Sequence, residues 1–260
     1  MRLGEGAWDL ILVVPDPVLL RRMLDATLAE VEADWFLGPA QGRRRKLLIA
    51  DMDSTIIGVE CLDELADFAG VKDRVSAITE RAMRGELEFE GALRERLALL
   101  AGLDLSALRR CHDERVTLNS GARTLVTTMA AHGARCVLVS GGFTDFTDRV
   151  SVAAGFHAAR ANLLERAGGK LTGKVREPIL GREAKLAALQ EEAAGAGIGL
   201  DACLAVGDGA NDLAMIEAAG LGVAYRAKPV VAARADARVD VADLTALLYF
   251  QGFRQEEFVQ

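Results

Sequence analysis

Lys46-Leu47-Leu48-Ile49-Ala50-Asp51-Met52-Asp53-Ser54-Thr55 is the stretch on which the fold turns. A short apolar run flows without interruption into two carboxylates two positions apart. Such a run, bounded by polar turn residues, reads as a strand buried on both faces. Two later stretches repeat the pattern: Cys136-Val137-Leu138-Val139 leads into Ser140-Gly141-Gly142, and Cys203-Leu204-Ala205-Val206 into Gly207-Asp208-Gly209. Helical stretches separate the three, which suits parallel strands of an α/β sheet. Ligands of open sheets bind beyond the carboxyl ends of the strands, so all three polar clusters are expected at one edge.

Working outward, residues 59–120 keep apolar side chains at three-to-four spacing, through Leu62, Leu65, Ala66, Ala69, Val75, Ile78, Leu93, Leu97 and Leu100, with no strand between. This reads as a helical cap inserted over the sheet edge. Two short runs between Ala161 and Val175 flank Gly168-Gly169, a hairpin signal. On the N-terminal side, Trp8 to Val14 reads as a strand. Asp16-Pro17 reads as helix cap and first helical residue, followed by Leu20, Met23, Leu24, Thr27, Leu28 and Val31 at helical spacing. The expected organisation is a βα segment and linker (1–45), a Rossmann-like α/β core (46–58 and 121–260), and the helical cap (59–120).

With 260 residues, 51% of them hydrophobic, the chain can bury a sizeable core. A formal net charge of -7 argues against a nucleic-acid or anionic-membrane binder. The four cysteines are scattered, without a Cys-x-x-Cys pair, and read as reduced buried thiols. No run approaches the roughly 18 apolar residues that span a bilayer. The simplest location is the cytoplasm.

Each cluster is ambiguous alone. Asp51-x-Asp53 could be a polar turn or a helix cap. It could equally place one carboxylate to attack and another to handle protons. Gly207-Asp208-Gly209-Ala210-Asn211-Asp212 could be a tight turn, but its hard oxygen donors suit Mg²⁺. Ser140-Gly141-Gly142, read as opening a helix at Phe143, offers a hydroxyl and backbone N–H groups to an anion.

Taken together and in this order, the clusters resemble the motifs of the haloacid dehalogenase-like phosphohydrolases over about Lys46 to Leu248. The resemblance implies Asp51 as nucleophile, Asp53 as general acid and base, and Lys185 as the lysine between nucleophile and phosphate. Lys170 and Lys174 rank lower because they fall in the hairpin. It also implies Mg²⁺ held by Asp51, Asp208 and the Asp53 carbonyl, with Asp212 and Asn211 supporting it at the rim. Within the superfamily, the stretches Ile78-Thr79-Glu80-Arg81-Ala82-Met83, Phe89-Glu90, Leu93-Arg94-Glu95-Arg96 and Ser140 to Phe143 resemble the phosphoserine phosphatases. That implies Glu60 for the substrate ammonium, Arg96 for its carboxylate, Met83 and Phe89 on the apolar side, and Ser140, Gly141 and Asn211 about the phosphate. The implied reaction is hydrolysis of O-phosphoserine through an aspartyl-phosphate, the last step of serine biosynthesis. The alternative is a phosphatase or phosphotransferase for another small phosphomonoester such as phosphohomoserine. A small-molecule substrate is the expected partner; a homodimer is compatible with the sequence but not specified by it.

Overall fold

The computed structural model describes residues 1–83 and 86–260. The chain opens with an antiparallel hairpin, β1 (Arg2–Gly4) and β2 (Ala7–Trp8), followed by α1 (Pro17–Thr27). The strand expected over Trp8 to Val14 is therefore misplaced: strand structure ends at Trp8, and Leu10, Ile11 and Val13 are 75, 77 and 101% exposed. Strand preference measures fit to a pleated, half-buried surface, and among the described residues no strand lies beside residues 10–14 to supply one. The start of α1 follows the sequence reading. The Asp16 carboxylate accepts the N–H groups of Val18 and Leu19 at 3.0 Å, and Pro17 takes the first turn, where its missing donor costs nothing.

The chain continues through β3 (Leu47–Ala50), helices α2 (Cys61–Phe68), α3 (Lys72–Met83), α4 (Phe89–Ala98), α5 (Ser106–Arg115) and α6 (Ala122–Ala131), then β4 (Arg135–Phe143), α7 (Thr144–Ala154) and β5 (Ala158–Asn162). After these come β6 (Leu164–Ala167), β7 (Lys170–Val175), α8 (Arg182–Gly195), β8 (Cys203–Gly207), α9 (Leu213–Ala218), β9 (Leu221–Tyr225), α10 (Pro229–Ala232), β10 (Ala237–Val239) and α11 (Ala246–Phe250). Six strands form one sheet in the order β10-β9-β8-β3-β4-β5, and every pairing is parallel. The three strands that run into polar clusters are thus neighbours, with Ala50 in register with Leu138 on one side and Val206 on the other.

Successive residues of the central strands face opposite sides. Leu48, Ala50, Cys136, Leu138, Leu204 and Val206 join a core with α6, α7 and α11, whereas Leu47, Ile49, Val137, Val139, Cys203 and Ala205 pack with α8, α9 and Val231. Burial on both faces is why these strands read as unbroken apolar runs. The first core continues into α2 to α5 through Leu62, Leu65, Val75, Leu93, Leu97 and Leu108.

Backbone contacts tie both ends of the helical insertion to the rest of the chain. Its entering and leaving segments lie side by side: Ile57 bridges Leu118, and Asn119 N–H donates to the Ile56 carbonyl at 2.8 Å. Its far end docks on the β6–β7 hairpin, where Gly102 N–H donates to Leu171 O (2.8 Å), Leu171 N–H to Leu103 O (2.9 Å) and Leu105 N–H to Gly169 O (3.1 Å). The hairpin turns at Gly168-Gly169, with φ of +57° and +78°, as the two-residue turn requires.

Candidate active site

Asp51 leaves β3 with its N–H donating to the Val206 carbonyl at 3.0 Å, which fixes it beside the end of β8. Met52 to Ile56 then coil tightly. Ser54 sits in the left-handed region at φ +57°, a conformation that costs a non-glycine residue on the order of 1 kcal/mol. The coil turns the chain back so that Ser54 Oγ donates to Glu60 Oε1 at 2.6 Å and Cys61 N–H donates to Asp53 Oδ1 at 2.9 Å. Asp53 Oδ2 accepts from Ser140 Oγ at 3.1 Å, linking β3 to β4. The Ser140-Gly141-Gly142 stretch differs from the expected helix opening. Strand β4 runs on to Phe143, α7 starts at Thr144, and Gly142 N–H is taken by Ser140 Oγ at 2.8 Å. A Cβ on Gly142 would lie 3.0 Å from both Asp53 Oδ2 and Ser140 Oγ, so this position has little room for a side chain.

Lys185, on α8, is fully buried, and its Nζ donates to Asp51 Oδ1 at 2.5 Å and Asp212 Oδ1 at 2.6 Å. Lys170 and Lys174 are exposed on β7. Asp212 is not at a rim: it is 0% exposed and also accepts Gly209 N–H through Oδ2 at 3.0 Å. Its burial reflects its place at the start of α9, turned in beneath the glycine loop. Carboxylate oxygens of Asp51, Asp208 and Asp212 lie within 4.8 Å of one another. Three buried carboxylates facing one ammonium leave an excess of negative charge. Burial and Asp212 push Asp51 up against the opposing pull of Lys185. Burial and the same neighbour push Asp208 up to about 6, while Lys185 and Lys228 oppose them. Oxygen donors crowded in this way suit a hard divalent cation. Asp53 is raised too, chiefly by burial, against the pull of its hydrogen bonds from Cys61 and Ser140.

The insertion supplies the other wall. Glu60 keeps its outer face in solvent, but protein crowding around the carboxyl, with Asp53 next, pushes it up to about 7. Arg96 is half-buried on α4, with Nε donating to Ala92 O at 3.3 Å and Nη1 to Thr79 Oγ1 at 3.4 Å. Phe89 reaches across to the core: its ring lies 3.1 Å from where a Cβ on Gly141 would stand and 3.3 Å from one on Gly181. Asn211 is half-buried in the loop before α9. Met83 ends α3, and its side chain lies outside the described residues.

Two supporting residues escaped the sequence reading. Asn162, 2% exposed, donates to Gly141 O at 2.8 Å and accepts Leu180 N–H at 2.7 Å, clamping β4 to the approach of α8. A buried Asn closing a strand was its signal, since strands disfavour that residue. Gly181 had no signal, because only the fold brings Phe89 against it. A cleft of about 600 Å³ between α1 and β10 contains none of these residues, so chemistry and not volume marks the site.

Residues 48–217 match the haloacid dehalogenase-like hydrolase family. A phosphoserine phosphatase of Streptomyces coelicolor is 46% identical over 83% of this chain and 52% of its own length. One of Streptococcus thermophilus is 45% identical over 76% of this chain and 92% of its own. The chain thus spans about half the length of the first of these relatives. A solved phospho-aspartyl intermediate analogue of phosphoserine phosphatase superposes with a TM-score of 0.75 at 38% identity, over 80% of this chain and 99% of that one.

Proposed function

The chain belongs to the haloacid dehalogenase-like hydrolases, and from that premise we propose that it is a Mg²⁺-dependent phosphatase that hydrolyses O-phosphoserine through an aspartyl-phosphate on Asp51. The observation that carries the reading is the buried Lys185 bridge between Asp51 and Asp212, beside an Asp53 whose carboxyl is raised. Burial raises both carboxyls, but Asp51 bonds the Lys185 ammonium, which opposes its protonation, whereas Asp53 bonds the neutral Cys61 N–H and Ser140 hydroxyl. That is the division of labour a nucleophile and a general acid need.

Asp51 attacks phosphorus through a carboxylate oxygen, and the bond from phosphorus to the serine oxygen breaks as the Asp53 carboxyl passes its proton to that oxygen. Asp53, now ionised, takes a proton from water, the water oxygen bonds to phosphorus, and the Asp51–phosphorus bond breaks to release phosphate. Asp53 is left protonated for the next cycle. The Asp51 and Asp208 carboxylates and the Asp53 carbonyl would hold Mg²⁺, with Asp212 and Asn211 in support; the cation supplies charge neutralisation for the phosphoryl oxygens. The three-carboxylate cluster fits such an ion. Lys185, fully buried, keeps the nucleophile oriented and opposes its protonation.

On the insertion side, Glu60 takes the substrate ammonium and Arg96 forks onto its carboxylate, while Phe89 and Met83 line the apolar flank and Ser140 and Gly141 border the phosphate. Residues 59–120 act as a cap that opens and closes over the site, limiting water at the acyl phosphate. Free serine is then the organic product, as the last step of serine biosynthesis requires. Four free buried thiols suit a reducing compartment such as the cytoplasm.

The test is phosphate release from a panel of phosphomonoesters with Mg²⁺ or EDTA, with an acceptor alcohol present in one arm. The expected result is selective, metal-dependent release from phosphoserine that Asp51→Asn abolishes. Preferred turnover of another ester overturns the substrate, and a new phosphoester in the alcohol arm overturns simple hydrolysis.

A further inference from the structure

Asp63 lies on α2 one turn beyond Glu60. Its Oδ1 is buried and accepts no hydrogen bond among the described residues. Leaving an ionised oxygen without a donor costs more than the bond would return, so each such atom asks for a partner. Arg96 has the complementary surplus. Of its five N–H groups, one on Nε and one on Nη1 are committed, both over long distances to neutral acceptors, and no carboxylate of the described residues stands within salt-bridge reach. Burial comes first for both groups, raising Asp63 and lowering Arg96; among charged groups, Asp63 then acts most strongly on Arg96, ahead of Glu60 and Asp53. Among cations, Arg96 acts most strongly on Asp63, ahead of Lys72.

We propose that Asp63 is a positioning residue for specificity: its buried carboxylate oxygen receives an Arg96 N–H and turns the guanidinium so that a fork of two donors faces the carboxylate of the substrate. This inference rests on the phosphoserine reading of the site. A bidentate pair takes two parallel N–H groups, and with two others already committed one donor remains for the orphaned oxygen. A guanidinium free to rotate about its long side chain presents that fork only part of the time. An anion behind it removes that freedom once an Arg96 N–H swings onto Asp63 Oδ1. Asp63 would therefore act on substrates that carry a carboxylate and be silent toward those that lack one. If Asp63 instead took the ammonium beside Glu60, it would act on every amino-bearing ester alike.

The experiment measures kcat/KM of the full chain with Mg²⁺ on phosphoserine, on phosphoethanolamine, which lacks the carboxylate, and on 3-phosphooxypropanoate, which lacks the ammonium. It compares wild type, Asp63→Asn, Arg96→Ala and the double variant. Ratios between substrates on one sample cancel any loss of folded enzyme. In Asp63→Asn the ratio of phosphoserine to phosphoethanolamine should fall about ten-fold through KM, with 3-phosphooxypropanoate falling in parallel, and Asp63→Asn should add nothing once Arg96 is Ala. An unchanged ratio, an equal fall for phosphoethanolamine, or a full effect persisting without Arg96 overturns the inference. A wild type that does not prefer phosphoserine overturns the substrate reading and this inference with it. A wild type that prefers it, alongside an indifferent Asp63→Asn, overturns this inference alone.

Discussion

Lys185 shows how much one side chain can carry. Among the described residues its ammonium is the only cation within hydrogen-bond reach of Asp51 and Asp212, so Lys185→Met strands both as uncompensated charges. The expected loss is about 3–5 kcal/mol of stability, read from urea unfolding in EDTA, together with loss of turnover in Mg²⁺. Replacing Asp51 and Asp212 by Asn in the same background should restore most of the stability but none of the activity. Glu60 makes a pH prediction with a definite sign. Its carboxyl is raised to about 7, so the protonated form grows below that pH and the ammonium loses its counter-charge. KM for phosphoserine should rise as pH falls from about 8 to 6 and flatten in Glu60→Gln. KM for p-nitrophenyl phosphate, whose phosphate is also ionised in this range but which has no ammonium, supplies the baseline. The same shift opposes folding, because the ionised form is the one burial penalises: any stability Glu60 contributes is present below its unfolded value and lost as pH rises toward 7.

At the level of elements, the attachment of the insertion to the β6–β7 hairpin turns on Gly173. It has φ +79°, and a Cβ there would stand 2.9 Å from Ala101 Cβ and 3.1 Å from Leu97 O. Gly173→Ala should destabilise the protein by about 1–3 kcal/mol in chemical denaturation. It should also raise hydrogen exchange at Gly102, Leu105 and Leu171, whose N–H groups make the joint. Confinement of the added exchange to β1 and β2 would contradict this coupling. Helical periodicity exposed α2 to α4 because each buries one stripe, and unbroken apolar runs exposed β3, β4 and β8 because both faces are covered. The same reasoning failed at Leu10 to Val14, where Leu10 to Val13 lie in solvent and no strand among the described residues is beside them.

Across the whole molecule, the proposed function depends on two parts meeting: a sheet edge that concentrates negative charge and a helical insertion that carries Glu60, Arg96 and Phe89. Binding of Mg²⁺ to the native carboxylate cluster should stabilise the fold by mass action, about 2.7 kcal/mol at a hundred times Kd. The melting temperature should therefore rise with Mg²⁺, fall back in EDTA, and respond weakly in Asp208→Asn; a response undiminished in that variant would place the ion elsewhere. The chain read alone disclosed the parallel strands, the helical insertion, the Gly-Gly hairpin and the strand-end clusters that hold Asp51, Asp53 and Asp208, because apolar periodicity and strand-end polar clusters are local patterns written in consecutive residues. It did not disclose the depth of Asp212, the Asn162 clamp, the seating of Phe89 against Gly141 and Gly181, or the orphaned oxygen of Asp63. Those depend on which side chains meet across many intervening residues, and burial, hydrogen-bond partnership and charge crowding exist only once the packed fold has brought them together.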